Sequence, residues 1–260
     1  IVAYLFGCSP AVCKSYLSGK KTSLESFDEY TYFEKYATSL RMGDIGYQNN
    51  IEEDMGVNID YNSIEKYAKS LDDAIKKPSR EYEKIGVHKD GYYKQINANS
   101  LQIENEYYST VRPKPDPNLK TRPSLALLEN GVNYIELRSI DNDIFSNTGI
   151  ELTQMYFMEL LIIHSLFSDN SEISKEEHAD IRNNFKNVAH KGRDKKIKII
   201  KKNETICIEK ELNKILNEME SIAKTMGHIK NDKNYEISIL QQKDKIHNEK
   251  LIPSNLVIDR

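Results

Sequence analysis

Apolar residues recur along this chain at two spacings, and the spacings mark out its elements. Over 132–139, Ile135 and Leu137 alternate with Tyr134, Glu136 and Arg138, the period of a strand with one apolar and one polar face. Over 63–76, Ile64, Tyr67, Ala68, Leu71, Ala74 and Ile75 fall at helical spacing, with Asp60, Asn62 or Ser63 placed to cap the start and Pro78 barring continuation. The run 152–167 is apolar nearly all round and predicts a buried helix. Ser174 with Glu177 three residues on reads as a capping box opening a helix to about residue 188, and 204–225 is a further amphipathic helix.

The weaker patterns fill the gaps. The apolar run 1–7 predicts a strand, 11–17 a short helix with Pro10 in its first turn and Gly19 at its end, and 79–84 a helical turn before Gly86. Asp90-Gly91 marks a hairpin tip. Over 101–108 alternation puts Gln102, Glu104, Glu106 and Tyr108 on one strand face and Leu101 and Ile103 on the other. Pro113, Pro115, Pro117 and Pro123 predict a linker-like loop, since proline does not join a sheet interior, and 124–130 a short helix closed by Gly131. Residues 20–35 and 48–60 read as surface connections, 195–202 as a solvated basic strand or loop, and everything from Gly227 as a polar tail. The change of character after Asp141 divides the chain into a sheet portion, 1–150, and a helical portion, 151–260.

Three stretches carry chemistry. Glu136 and Arg138 project side by side from one strand face. They form a mutual ion pair if the face is solvated, or equipment for a metal and a phosphate if it is cupped, because Glu offers hard oxygen ligands and Arg a planar donor fork. Residues 36–47 mix small residues and glycines around Arg41 and Tyr47. Such a loop either presents Arg41 and Tyr47 to a small carboxylate or holds a surface ion pair beside a turn tyrosine. The neighbouring carboxylates Glu104 and Glu106 repel unless Arg, solvent or a cation intervenes.

Composition narrows the partners. With 37 basic and 40 acidic residues in 260, the net charge of -3 gives no field to gather nucleic acid or an anionic membrane. The run 155–167 is shorter than the roughly 20 residues of a membrane span and contains Glu159 and His164. Three cysteines, Cys8, Cys13 and Cys207, form no disulfide framework, so a cytoplasmic protein is expected, with Cys8 and Cys13 as small core residues. His164, His178 and His190 lack metal-type spacing and are read as structural or exposed. Ile1 opens directly on the apolar run, with neither an initiator Met nor a basic flank, so an incomplete chain is expected.

Four motifs, in order, carry a family resemblance: Tyr-Leu-Phe-Gly-Cys-Ser-Pro-Ala from Tyr4, Tyr-Ala-Thr-Ser-Leu-Arg-Met-Gly-Asp-Ile-Gly-Tyr from Tyr36, Gln-Ile-Asn-Ala-Asn-Ser-Leu-Gln-Ile-Glu-Asn-Glu from Gln95, and Tyr-Ile-Glu-Leu-Arg-Ser from Tyr134. Together they resemble the bacterial glutamate–cysteine ligases of the enterobacterial type, over residues 1 to about 190 and more loosely beyond. The resemblance implies an α+β fold with a glutamine-synthetase-like antiparallel sheet cupping the active site and a mainly helical C-terminal portion. It implies ATP-dependent ligation of glutamate, through its side-chain carboxylate, to cysteine by way of an acyl phosphate, as the first step of glutathione synthesis. ATP and Mg2+ or Mn2+ are the implied cofactors, glutamate and cysteine the small-molecule partners, and a monomer the implied state of the parent protein. Residue by residue, it implies that Glu136 is a metal ligand and Arg138 contacts the transferring phosphate. Arg41 receives the cysteine carboxylate, and Tyr47 and Tyr108 wall the cysteine pocket. Glu104, Glu106 and Arg112 are nearby candidates. The family's N-terminal part, with most acidic metal ligands and much of the glutamate site, has no counterpart in this sequence, so the piece alone is expected to be inactive. A non-catalytic interaction protein that keeps the ligase scaffold is the alternative.

Overall fold

The computed structural model describes residues 1–17, 22–46, 57–168 and 171–259. Its contacts group into two units, one made of residues 1–46 and 140–260 and the other of 47–139. These units cut across the boundary of composition at residue 150: chain on both sides of 47–139 contributes to the same unit. The class is α+β, as the resemblance implies. The antiparallel pairing among the described residues is divided between one three-stranded and three two-stranded sheets.

In the 47–139 unit, α2 (Ile64–Lys76) is the longest described helix, and the helical spacing at 63–76 locates it. Ser63 has extended backbone and its hydroxyl accepts from the Lys66 amide at 3.1 Å, satisfying one of the amides a helix start leaves unpaired. Tyr67, Leu71 and Ala74 on its inner face pack with Val57, Ile59, Leu101, Tyr107 and Leu127 to make this unit's core. Replacing Ser63 with Ala removes that cap, and denaturant unfolding is expected to register a loss of about 1 kcal/mol.

The rest of this unit frames the core. Helix α3 (Arg80–Ile85) ends at Gly86, and the Asp90-Gly91 turn joins β4 (His88–Lys89) to β5 (Tyr92–Tyr93) as the turn signal predicts. Asp90 and Gly91 both take positive φ, 55° and 83°, which suits that dipeptide. Residues 101–108, expected as a strand, instead contain a 3-10 turn at Glu104–Glu106. Strand β6 (Val111–Lys114) pairs antiparallel with β7 (Tyr134–Leu137), and α4 (Pro123–Asn130) lies between them in sequence, closed by Gly131. Pro113 therefore sits in a strand, not in a loop: among the described residues the ladder has two strands, so a residue without an N–H can take its outer side.

In the other unit, α1 (Val2–Leu5) replaces the strand expected over 1–7, with the Leu5 and Phe6 amides donating to the carbonyls of Ile1 and Val2. A short, wholly apolar run has no periodicity to separate the two states. The segment read as a helix over 11–17 starts as β1 (Ala11–Cys13) and ends in a 3-10 turn, Lys14–Leu17. β1 pairs with β3 (Thr31–Phe33), which also pairs with β2 (Glu25–Ser26). Gly19, expected to end that helix, lies outside the described residues. Cys8 is buried but Cys13 is exposed, which corrects the expectation that both are core residues.

Helices α5 (Leu152–Phe167), α6 (Lys175–Lys191), α7 (Ile208–Lys230), α8 (Asn234–His247) and α9 (Pro253–Ile258) complete the unit, with the hairpin β8 (Lys198–Lys201) and β9 (Glu204–Cys207) before α7. The helix expected from residue 204 thus begins at Ile208 after a strand, and the polar tail holds two helices. Phe157, Leu160, Leu212, Leu216, Met219, Ala223 and Ile239 are buried where α5, α7 and α8 pack, and Phe157 meets Phe6 edge to face at 5.1 Å. α5 is not wholly buried as its composition suggests: Leu152, Met155, Leu166 and Phe167 are exposed. No helix of the described residues is long and apolar enough to cross a membrane.

Candidate functional site

The β6–β7 ladder builds a charged cluster from its register. Arg112 stands opposite Glu136, so the two share a face, and Lys114 and Arg138, each two residues along its strand, share it as well. The Arg138 amide extends the ladder by donating to the Thr110 carbonyl at 2.9 Å. Arg138 Nη2 donates to Glu136 Oε1 at 3.1 Å, while Lys114 Nζ and Arg112 Nη1 stand 3.7 and 3.9 Å from Glu136 Oε2. One carboxylate thus meets three cations. The hydrogen bond from Arg138 chiefly holds the Glu136 carboxyl below its usual range; burial opposes it, and the charges of Lys114, Arg138 and Arg112 assist.

Three further details shape this cluster. Glu136 Oε2 is out of solvent and makes no hydrogen bond. The Arg138 guanidinium carbon lies 5.0 Å from the Tyr108 ring centroid, a cation–π contact. Arg112 is buried and donates to Asn105 Oδ1 at 3.3 Å, which fixes its fork beside Glu136. The structure therefore brings Glu136, Arg138, Tyr108 and Arg112 together. Lys114 joins them, a residue the sequence hid within a proline-rich stretch. The apolar face is less buried than the alternation predicts, for Ile135 is 40% exposed.

Glu104 and Glu106 do not share a polar strand face. Glu104 is buried and accepts from the Ser124 amide (2.8 Å) and hydroxyl (2.6 Å) at the start of α4, with Arg122 Nε at 3.3 Å. Glu106 accepts from the Gln102 amide at 2.6 Å. Glu106 thus closes its own turn, whereas Glu104 reaches across to the start of α4. Among the described residues no group of three or more His, Cys, Asp or Glu gathers to hold a metal.

Arg41 belongs to the other unit, and its partner there is a residue the sequence reading missed. Asp141 is buried. Its Oδ1 accepts from Arg41 Nε at 2.5 Å, and its Oδ2 accepts from the Cys8 amide and the Ser9 hydroxyl, both at 2.7 Å. Arg41 Nη2 also donates to the Ile140 carbonyl at 2.6 Å. The guanidinium is thereby fixed in orientation by a side-on grip on two of its nitrogens. Tyr47 lies outside the described residues. His190 and His164 each engage carboxylates, His190 with Glu34 and Asp44 and His164 with Glu218.

A family model described as glutamate-cysteine ligase matches residues 1–188. The glutamate–cysteine ligase of Hahella chejuensis is 36% identical over 258 residues, covering 98% of this chain and 49% of that protein. That of Proteus mirabilis is 45% identical over 195 residues, covering 74% of this chain and 37% of its own length. The crystal structure of a glutamate–cysteine ligase from Francisella tularensis in complex with AMP superposes with a TM-score of 0.90 at 32% identity, over 99% of this chain and 51% of that one. A bifunctional glutathione synthetase from Pasteurella multocida, at a TM-score of 0.59 and 17% identity, shares the fold. The chain spans about half the length of the curated relatives it matches.

Proposed function

The chain belongs to the glutamate–cysteine ligase family, and from that premise we propose that the full-length protein joins the side-chain carboxylate of L-glutamate to the amine of L-cysteine with ATP. The γ-phosphoryl group passes to the glutamate carboxylate, releasing ADP. The cysteine nitrogen then attacks the acyl carbon, and phosphate leaves as the C–N bond forms and the amine gives up a proton. Such chemistry is catalysed by neutralising the transferring phosphoryl group and holding the amine in line.

The observation that carries the reading is the charge arrangement around Glu136. Three cations about one carboxylate leave a net positive patch of the kind that takes a polyphosphate. The buried, unbonded Glu136 Oε2 fits one position of a hard divalent cation such as Mg2+ or Mn2+. Glu136 would be one ligand among several, the rest supplied by phosphate oxygens, water and other carboxylates. A divalent cation bound there would supply charge neutralisation at the phosphates. Arg138, turned by Glu136 and laid on Tyr108, is the guanidinium we assign to the transferring phosphate. Arg41, aligned by Asp141, is the guanidinium we assign to the cysteine carboxylate; for Tyr108 and Tyr47 we keep the part in cysteine binding that the family resemblance implies.

The test is ADP release by the full-length protein supplied with glutamate, ATP and Mg2+, with and without cysteine. Turnover that depends on cysteine and yields the γ-linked dipeptide is the expected result. A folded full-length protein that releases no ADP under these conditions would instead favour a non-catalytic scaffold.

A further inference from the structure

At the C-terminal end of α6 a histidine ring stands between two carboxylates. His190 Nδ1 is 2.6 Å from Glu34 Oε2, and Nε2 is 2.7 Å from Asp44 Oδ1. An ionised carboxylate only accepts, and a neutral imidazole has a single N–H, so both bonds form together only with the imidazolium. The charged groups facing this ring are Glu34 from the end of β3 and Asp44 from the Arg41 loop. Lys186, one turn earlier on α6, reaches the other oxygen of Asp44 at 2.6 Å. The Glu34 hydrogen bond is the chief cause that raises the His190 proton affinity, against burial, with the Asp44 bond and both charges adding to it. Burial works against ionisation of Asp44, but the bonds from Lys186 and His190 outweigh it and hold that carboxyl low.

Arg41 lies between Glu34 and Asp44 in sequence, and the same helix end holds the backbone around it. The amides of Thr38 and Ser39 donate to the Ala189 carbonyl at 2.8 and 3.1 Å, and the Thr38 hydroxyl donates to Val188 O at 3.0 Å. These are carbonyls that a helix terminus leaves unpaired. Arg193 donates to the carbonyls of Ala37 and Lys35 at 2.9 and 2.6 Å. A Cβ on Gly43 would stand 2.6 Å from His190 Nε2, so only glycine lets the loop come this close to the ring. A cation is also favoured at this end of a helix.

We propose that His190 is a positioning residue for the amine-substrate side of the reaction: its imidazolium ties Glu34 to Asp44 across the segment that carries Arg41, and loss of its proton loosens that segment. The part played by the amine substrate rests on the reading of Arg41 given under the proposed function; the tie itself does not. Because the folded protein holds this proton more tightly than the ordinary imidazole with its value of 6.5, the tie is complete below that pH and is lost as pH rises through the folded-state titration.

Hydrogen exchange over residues 35–46 of the full-length protein tests the tie, read as protection factors so that intrinsic base catalysis is removed. It is followed from about pH 6 to about pH 9, a range that brackets imidazole titration. Protection is expected to fall about tenfold across the range, the scale of one charge-assisted hydrogen bond. It should be low and level in His190→Gln, and nearly level in His190→Lys, whose ammonium keeps its charge. Glu34→Gln, which leaves the histidine in place, should remove most of the pH response. In the same range KM for cysteine is expected to rise about tenfold, with kcat changing much less. Level protection in the unaltered protein, or an unchanged response in His190→Gln, would overturn the tie. Falling protection with a level cysteine KM would overturn the positioning role. Falling protection in a protein without cysteine-dependent turnover would sink the ligase reading and support the tie.

Discussion

Glu136→Gln in the full-length protein is expected to cut cysteine-dependent ADP release by at least about a hundredfold, more than the loss common when a residue behind a metal ligand is changed. The amide is the same shape, and its oxygen can still accept from Arg138 where Oε1 does at 3.1 Å. The other position becomes an NH2 group pointed at Lys114 and Arg112, where Oε2 now stands 3.7 and 3.9 Å away. It can no longer bind a divalent cation, and the patch becomes more positive by one charge. The side chain is about a third exposed, so the folding cost is expected to stay within about 1 kcal/mol, as for other solvated ion pairs. Paired measurements decide the matter: a thermal melt within a few degrees of the unaltered protein, together with lost turnover, assigns the effect to the site. Full turnover in the variant would remove Glu136 from the metal and leave the three cations as a phosphate site only.

Asp141→Ala should produce the second large effect, on stability and binding together. Truncation removes the acceptor shared by three donors, the Cys8 amide, the Ser9 hydroxyl and Arg41 Nε, around a position that is nearly closed to water, and of these the Ser9 hydroxyl keeps Ser39 Oγ at 3.0 Å. Breaking a buried pair by removing one partner commonly costs about 3 to 5 kcal/mol. Arg41 is itself about a third exposed, so water recovers part of its loss and the lower end, about 3 kcal/mol, is expected. Urea unfolding reads the stability loss. On the proposed role of Arg41, KM for cysteine rises at least tenfold by about the same logic of misplacement, with kcat less affected. Asp141→Asn separates the two, since its oxygen can serve one set of donors while its NH2 faces the other. A small stability loss with a large rise in KM would place Asp141 behind Arg41 in substrate binding. The reverse would make it a purely structural residue.

How far the sequence reaches can be judged from particular elements. Helix α2 was legible because six apolar residues share one face and Ser63 caps it. The hairpin at Asp90-Gly91 was legible because its turn needs two positive φ values. Helix α8 was hidden although its spacing is regular: Tyr235, Ser238, Ile239, Gln242 and Ile246 face inward, but two of the five are polar. Ser238 bonds back to the Tyr235 carbonyl, which lets a polar side chain occupy a core position. The same reason explains Glu104, whose buried carboxylate serves Ser124 and looks, in sequence, like one of a row of exposed charges. Period alone does not reveal such tertiary partners.

The candidate site divides in a similar way. Glu136 and Arg138 are two residues apart, so their shared face could be read directly. Arg112 and Lys114 reach it only through strand pairing, and Pro113 between them argued for a loop. Asp141 reaches Cys8, Ser9 and Arg41 from 100 to 133 residues away in sequence. An isolated aspartate after a strand gives no local sign of three such donors.

The pairing of β6 with β7 has a consequence for how the charged cluster can fail. Its four members depend on Arg112 facing Glu136, with the side chains alternating between the two surfaces of the ladder. A slip of one residue would put either Val111 or Pro113 opposite Glu136 and send Arg112 and Lys114 to the far surface. The cluster therefore behaves as an all-or-none vernier: insertions or deletions within 111–114 or 134–138 erase it at once, while length changes in the connection between the strands leave the alignment intact.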